Sequence, residues 1–317
     1  MTTVRERLVA WAYLLGWKVV CRVPEAWSRW AFMRTADWLW RKDGAAVRQL
    51  EANLARVARS RDGAGQRDGQ GEDLRDLSRR AMRSYLRYWL EVFRLPVIPA
   101  EEIESRMRCT GEVETAFGHL AAKRGVIFAL PHMGNWDHAG AWIVQRGAGR
   151  FTTVAERLRP QRLYDRFVAF REGLGMEVLP HSGGNGRFAL LADRLRAGHL
   201  VCLLCERDLT GAGVEVDFFG ERARMMGGPA ALAVQTGAAL MPVTLWYHGR
   251  NWCARIHPEI PVPDHGDHGE QVAVMTQQLA CVFEAGITQH PEDWHMLQKV
   301  FVADLDPARL ARQAARS

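Results

Sequence analysis

A histidine and an aspartate five positions apart, His132 and Asp137, follow the apolar run Val126–Leu130 and precede Ala139, Ala141, Trp142 and Val144. A neutral imidazole is a good proton acceptor near neutral pH, and an acidic neighbour fixes its tautomer and steadies the cation that forms. His-x4-Asp spacing allows a carboxylate to contact one ring nitrogen while the other takes a proton from an alcohol. The plainer alternative is that His132 caps a turn and Asp137 only starts a helix, since such pairs also arise by chance.

Four further stretches hold groups that could take part. Leu203–Leu209 runs from an apolar strand straight into Glu206, Arg207 and Asp208. Three charges at a strand end are costly unless paired or in use. If that strand neighbours 126–130, Glu206 lands near His132 and can orient the ring; the alternative is an Arg207 ion pair that ends the strand. Met226–Ala233 contains Gly227-Gly228-Pro229, a helix start whose N–H groups suit an oxyanion or a phosphate. Ahead of it, Phe218 and Phe219 point to opposite faces of a strand, so one of them could line an apolar channel. Glu156, Arg157, Arg159, Arg166 and Arg171 could meet an anionic substrate or form a solvated helix face. Ser182–Arg187 is Gly-rich and could cradle phosphate, but it lacks the Walker lysine pattern and reads as a surface loop.

The elements that must position these groups follow from periodicity and punctuation. Val126–Leu130 is a buried strand, ended by Pro131; Gly134 and Asn135 suit a tight turn, and Asp137 can cap the helix after it. Strands are expected at 126–130, 151–155, 176–179, 200–205, 214–219, 240–247 and 253–257. Helices are expected at 137–147, 161–173, 187–197, 229–237, 270–286 and 306–315. That alternation is an α/β fold, a central, mostly parallel or mixed sheet flanked by helices, with its site beyond the carboxyl ends of the strands. Residues 1–100 read as a helical region packed on an α/β domain of residues 101–317, with a mobile loop at 59–73 that lacks large apolar residues.

The 317 residues carry a formal charge of +6, unevenly spread. Residues 1–94 hold 19 Lys and Arg against 11 Asp and Glu, a net of +8, and the remainder nets −2. Six of the twelve tryptophans lie in the first 40 residues. Tryptophan interleaved with Arg and Lys suits an anionic membrane surface, and Trp11, Trp17, Arg22 and Trp30 are the expected contacts. The competing reading is a helical pair packed on the main domain. No nucleic-acid-binding motif is present, and no apolar stretch reaches the length of a spanning helix. Cys202 and Cys205 have CxxC spacing inside a strand and read as core residues. His265 and His268 with Asp264 and Asp267 read as an exposed polar loop rather than a metal site. No Gly-x-Ser-x-Gly elbow is present, which argues against a serine hydrolase.

Taken in order, "PHMGNWDHAGAW", "ERLRP", "CERDL", "VDFFG" and "GGPAALAVQTGAALMPV" resemble the lipid A biosynthesis acyltransferase family over roughly residues 5–305, and "DWHMLQ" at 293–298 resembles its actinobacterial branch, the phosphatidylinositol mannoside acyltransferases. The resemblance implies a glycerolipid acyltransferase-like fold and transfer of a palmitoyl-type chain from acyl-CoA to the 6-position of a mannose. It implies His132 as general base, Glu206 as its partner, and Asp137 as the end of the motif. Arg171 then sits near the acyl donor. Glu156, Arg157, Arg207, Asp208, Phe218, Phe219, Gly228 and Pro229 are the expected substrate contacts. No metal or permanently bound cofactor is implied. The expected partners are acyl-CoA, the glycolipid and the cytoplasmic face of the plasma membrane. Glycerol phosphate, lysophospholipid and lipid A acceptors are the alternative, and a non-catalytic membrane-surface protein is the other class.

Overall fold

A computed structural model describes residues 13, 15–63, 73–155, 161–180, 184–208, 211 and 213–305. Its sheet is built outward from the apolar run that follows Gly125. All five residues of β2 (Val126–Leu130) are buried, as expected of a central strand covered on both faces. β5 (Leu200–Leu204) lies parallel beside it, and β8 (Ala239–His248) lies parallel on its other side. Beyond β5 come β3 (Phe151–Ala155) and β4 (Met176–Pro180), and beyond β8 come β9 (Asn251–Ile256) and β1 (Met107–Gly111). The seven-stranded order is β1-β9-β8-β2-β5-β3-β4, with β8–β9 as its one antiparallel pair. β6 (Val214–Phe218) and β7 (Glu221–Met225) form a separate hairpin.

Helices cover the sheet and supply its edges. Before it run α1 (Glu25–Arg41), α2 (Ala45–Gly63), α3 (Leu74–Arg94) and α4 (Ala100–Arg106). Within it lie α5 (Val113–Ala121), α6 (Trp136–Ile143), α7 (Gln161–Gly173), α8 (Gly184–Arg196) and α9 (Gly228–Thr236), and α10 (His268–Gln289) follows β9. The expected mixed α/β sheet is therefore present. Six of the seven expected strands match within one residue at each end, and 253–257 is shifted to Asn251–Ile256. The helix expected at 306–315, residues 64–72 of the expected loop, and Trp11 lie outside the described residues.

α3 is the helix that reaches from the N-terminal half to the site. Asp73 caps it by accepting from the Arg75 N–H (2.9 Å), and Leu77, Ala81, Ser84, Tyr88 and Val92 recur at helical spacing on its buried face. Fully burying Leu77 or Val92 contributes about 2 kcal/mol each. α1 is tied to it by Asp37, whose carboxylate meets Arg79 and Arg83 in two bidentate pairs. α2 runs to Gly63, four residues beyond the expected loop start at Arg59. Arg56 and Arg59 both pair with Glu221, and Ser60 donates to Glu284, so the last turns have partners a loop would not supply. Asn53 on α2 donates to the carbonyls of Met296 and Gln298, joining the N-terminal helices to the segment around residue 295.

Candidate active site

Strand register sets the central pair. Leu130 on β2 stands opposite Leu204 on β5, and the Cys205 N–H donates to the Leu130 carbonyl (3.0 Å). Two residues further along each chain are His132 and Glu206. The Glu206 carboxylate takes the His132 backbone N–H at 2.6 Å and lies 2.9 and 2.8 Å from ring Nδ1 through its two oxygens. Glu206 is 0% exposed, whereas the His132 side chain keeps 26% of its surface open. Burial pushes the Glu206 carboxyl up, but the charge and hydrogen bonds of His132 outweigh it and hold the group below the ordinary range. An ionised carboxylate only accepts, so in the neutral ring the proton sits on Nδ1 and Nε2 carries the free lone pair.

Asp137 does not meet His132. It is 1% exposed, and its two oxygens receive Nε and a terminal nitrogen of Arg171 at 2.7 and 3.0 Å. The Tyr88 hydroxyl donates to it at 2.8 Å. Burial raises the Asp137 carboxyl, and the Arg171 guanidinium more than offsets this, for a net downward shift. The expectation that the motif's aspartate contacts the imidazole is thus corrected: sequence spacing brings it within reach, but its place in the first turn of α6 aims it at α7 and α3. Nor does Asp137 cap that helix. Asn135 does, accepting from the His138 N–H at 3.1 Å while its amide donates to buried Glu91.

The turn that carries His132 is clamped from the C-terminal side. Gly134 has φ +58°, and a Cβ there would lie 2.7 Å from the Leu245 backbone, so only glycine fits. Its N–H donates to the Asp293 carbonyl (2.9 Å), and the His295 N–H donates to the His132 carbonyl (2.7 Å). Side chains continue the clamp. The Ser84 hydroxyl lies 2.5 Å from Asp293 and 3.0 Å from His295 Nε2, and the other Asp293 oxygen accepts the Tyr247 N–H. Burial pushes the Asp293 carboxyl up to about 7, and burial together with the nearby His132 pushes His295 down to about 3. Ser84 and Asp293 were not singled out by sequence; their only signal was the "DWHMLQ" resemblance and the apolar stripe of α3.

Two adjoining cavities lie near the site, and His132 lines the larger. One, about 320 Å3, is lined by His132, Trp136, Arg187, Gly228, Pro229 and His295 among others. The other, about 80 Å3 and narrower, runs among apolar residues of the sheet and α6, including Phe128, Leu130, Trp142, Met176 and Ile256. Trp136, Val154, Arg171 and Leu204 line both, so they adjoin. Among the expected contacts, Arg171, Arg207, Gly228 and Pro229 reach these walls, as does Trp136. Phe218 and Phe219 do not: both are buried against Trp294, with Phe301 stacked on Phe218, and they belong to the core. Asp208 instead accepts the Gly211 and Gly213 N–H groups and shapes its own loop. Glu156 and Arg157 lie outside the described residues. Arg187, expected on a surface loop, stands in the first turn of α8 and lines the larger cavity.

Cys202 and Cys205 are free thiols held among apolar residues, as expected of core cysteines. Asp267 spends its side chain in a capping box with Glu270 at the start of α10.

Comparison with known proteins gives a consistent result. A family model described as bacterial lipid A biosynthesis acyltransferase matches residues 2–302. A phosphatidylinositol mannoside acyltransferase of Mycobacterium tuberculosis is 46% identical over 317 residues, covering 99% of this chain and 95% of its own. One of Mycolicibacterium smegmatis is 46% identical over 301 residues, covering 95% and 93%.

Proposed function

We propose, on the premise that this chain belongs to the bacterial lipid A biosynthesis acyltransferase family, that it moves a palmitoyl-type acyl group from coenzyme A to the 6-hydroxyl of a mannose in a phosphatidylinositol mannoside. Membership makes it an acyltransferase. The observation that carries the finer reading is the His132–Glu206 pair, its imidazole partly open in a cavity that adjoins an apolar slot.

His132 Nε2 removes the proton of the acceptor hydroxyl as its oxygen attacks the thioester carbonyl. Glu206 holds the Nδ1 proton in place and balances the imidazolium. The tetrahedral adduct collapses with loss of the coenzyme A thiolate, which takes up the proton His132 received. Backbone N–H groups at the start of α9 stand by for the oxyanion, each such donor being worth about 3 kcal/mol. The narrow cavity suits an alkyl chain, because its walls offer contact to methylenes and few polar groups.

The same reading places the enzyme peripherally on the cytoplasmic face of the plasma membrane. Its support is an exposed patch on α1 and the helical residues before it: Trp27 is 73% exposed and Trp30 64%, with Val19, Val23 and Phe32 beside them. Among the described residues no helix is long and apolar enough to cross a membrane.

The test offers labelled palmitoyl-CoA with phosphatidylinositol mannoside, phosphatidylinositol, glycerol 3-phosphate or a lysophospholipid. Label is expected on the mannosylated lipid alone. Equal transfer to the non-mannosylated acceptors would overturn the assigned acceptor, and a near wild-type rate in His132→Ala would remove His132 as the base.

A further inference from the structure

The larger cavity is basic beyond what its own structure neutralises. Among the described residues its walls carry three arginines, Arg171, Arg187 and Arg207, and no carboxylate. Arg171 is matched by Asp137 in a bidentate pair, and Arg207 has a partner of its own. One terminal nitrogen of the Arg187 guanidinium is buried with no hydrogen-bond partner among the described residues; of Arg207, which does have a partner, only Nε is in that position. A buried charged donor left without an acceptor is costly, and groups of this kind persist where a ligand completes them. Guanidinium offers a planar fork of N–H groups that fits phosphate oxygens. Arg187 also stands in the first turn of α8, where the helix end adds partial positive charge of the same sign.

We infer that Arg187 is a phosphate-binding residue of the larger cavity, taking a phosphate of one of the two substrates while the reacting groups lie at His132. The inference rests on the proposed acyl transfer for its choice of ligands. Two sources share this chemistry: the phosphates of coenzyme A and the phosphodiester of a phosphoinositide acceptor. Coenzyme A is the commitment, because the cavity adjoins the slot that suits the acyl chain, and a thioester whose chain fills that slot brings its pantetheine and phosphates out through the wider space.

The experiment uses the full chain with Arg187→Gln and Arg187→Lys. Calorimetry with free coenzyme A measures binding without catalysis, so it remains informative even if no acyl transfer is found. A charge-assisted contact to phosphate is expected to make the Gln variant bind roughly ten- to hundredfold more weakly, with Lys intermediate. Steady-state rates then compare acyl-CoA with acyl-pantetheine, which lacks the phosphates. KM for acyl-CoA is expected to rise by the same factor, with KM for acyl-pantetheine unchanged. A defect seen instead only with the phosphoinositide acceptor, and absent with an alkyl mannoside, keeps the phosphate site and moves it to the acceptor. Equal loss with charged and neutral substrates, or no loss in either measurement, overturns the inference.

Discussion

At the scale of single residues, two acids near one histidine divide their work. Glu206 faces His132 and Asp137 faces Arg171, and each variant should report its own partner. His132→Ala is expected to lower acyl transfer by about 10²–10⁴-fold with the fold retained, the usual span for a general base. Glu206→Gln keeps the side-chain shape but removes the charge, and a fall in kcat of roughly 10²- to 10⁴-fold is expected, with circular dichroism unchanged. Asp137→Ala acts differently. It leaves the Arg171 guanidinium without its carboxylate in a nearly closed site, so about 3–5 kcal/mol of stability should disappear in urea denaturation. Adding Arg171→Met should restore most of it; a single variant as stable as the parent would contradict the pairing. Glu206 could be read from sequence because adjacent parallel strands bring their ends together. The partner of Asp137 could not, since a spacing of five gives reach and not direction, and the direction comes from a helix start that Asn135 sets.

Among elements, the turn after β2 and the segment around Asp293 form one device that holds His132. Gly134→Ala introduces a side chain at φ +58° that meets the Leu245 backbone, so both stability and activity are expected to fall together. Asp293 gives this device a pH dependence with a definite sign. Its proton is held more tightly folded than unfolded, so its contribution to stability is complete below about pH 4 and is lost as pH rises to about 7. The slope is at most about 1.4 kcal/mol per pH unit. Asp293→Asn can donate to Ser84 and accept from Tyr247, and so imitates the protonated form at every pH. The stability of the parent relative to this variant should therefore decline across pH 4–7 in denaturant titrations, and a constant difference would contradict the assignment. Sequence reading found the buried strands and missed β1, β7, α4 and α5. β1 is a mostly exposed edge of Met-Arg-Cys-Thr-Gly, and β7 alternates charge with small or apolar residues, so neither presents the apolar run that marked β2 and β5. The clamp was illegible for a related reason: hydrogen bonds that join residues 84, 132 and 134 to 293 and 295 leave no local periodicity.

For the whole molecule, the question is how a lipid reaches a histidine at the end of a sheet. Of the four residues expected to touch lipid, Trp11 lies outside the described residues and Trp17 is turned inward, donating its indole N–H to the Phe93 carbonyl. Among the described residues the exposed aromatics are Tyr13, Trp27, Trp30 and Trp38, the last with the Lys42 ammonium 3.8 Å from its ring centre. Tryptophan composition marked α1 but not which of its rings face outward, which is fixed by the ion pairs between Asp37 and α3. Behind this patch, Phe32 approaches Phe93, which adjoins Trp17, Trp89 and Phe167, and the last two line the larger cavity. These rings lie between the exposed patch and the site, so on the proposed membrane contact they mark the side from which a lipid would approach. Replacing Trp27 and Trp30 together with serine removes two large interfacial side chains and should weaken binding to anionic vesicles at least about tenfold. KM for an acceptor presented in those vesicles should rise by a similar factor, while kcat, and KM for a short-chain acceptor in detergent, stay near the parent values. If vesicle binding and both KM values are unchanged, the membrane contact is made elsewhere; if the detergent-soluble acceptor suffers equally, the two tryptophans support the fold around Phe93 and not the approach to lipid.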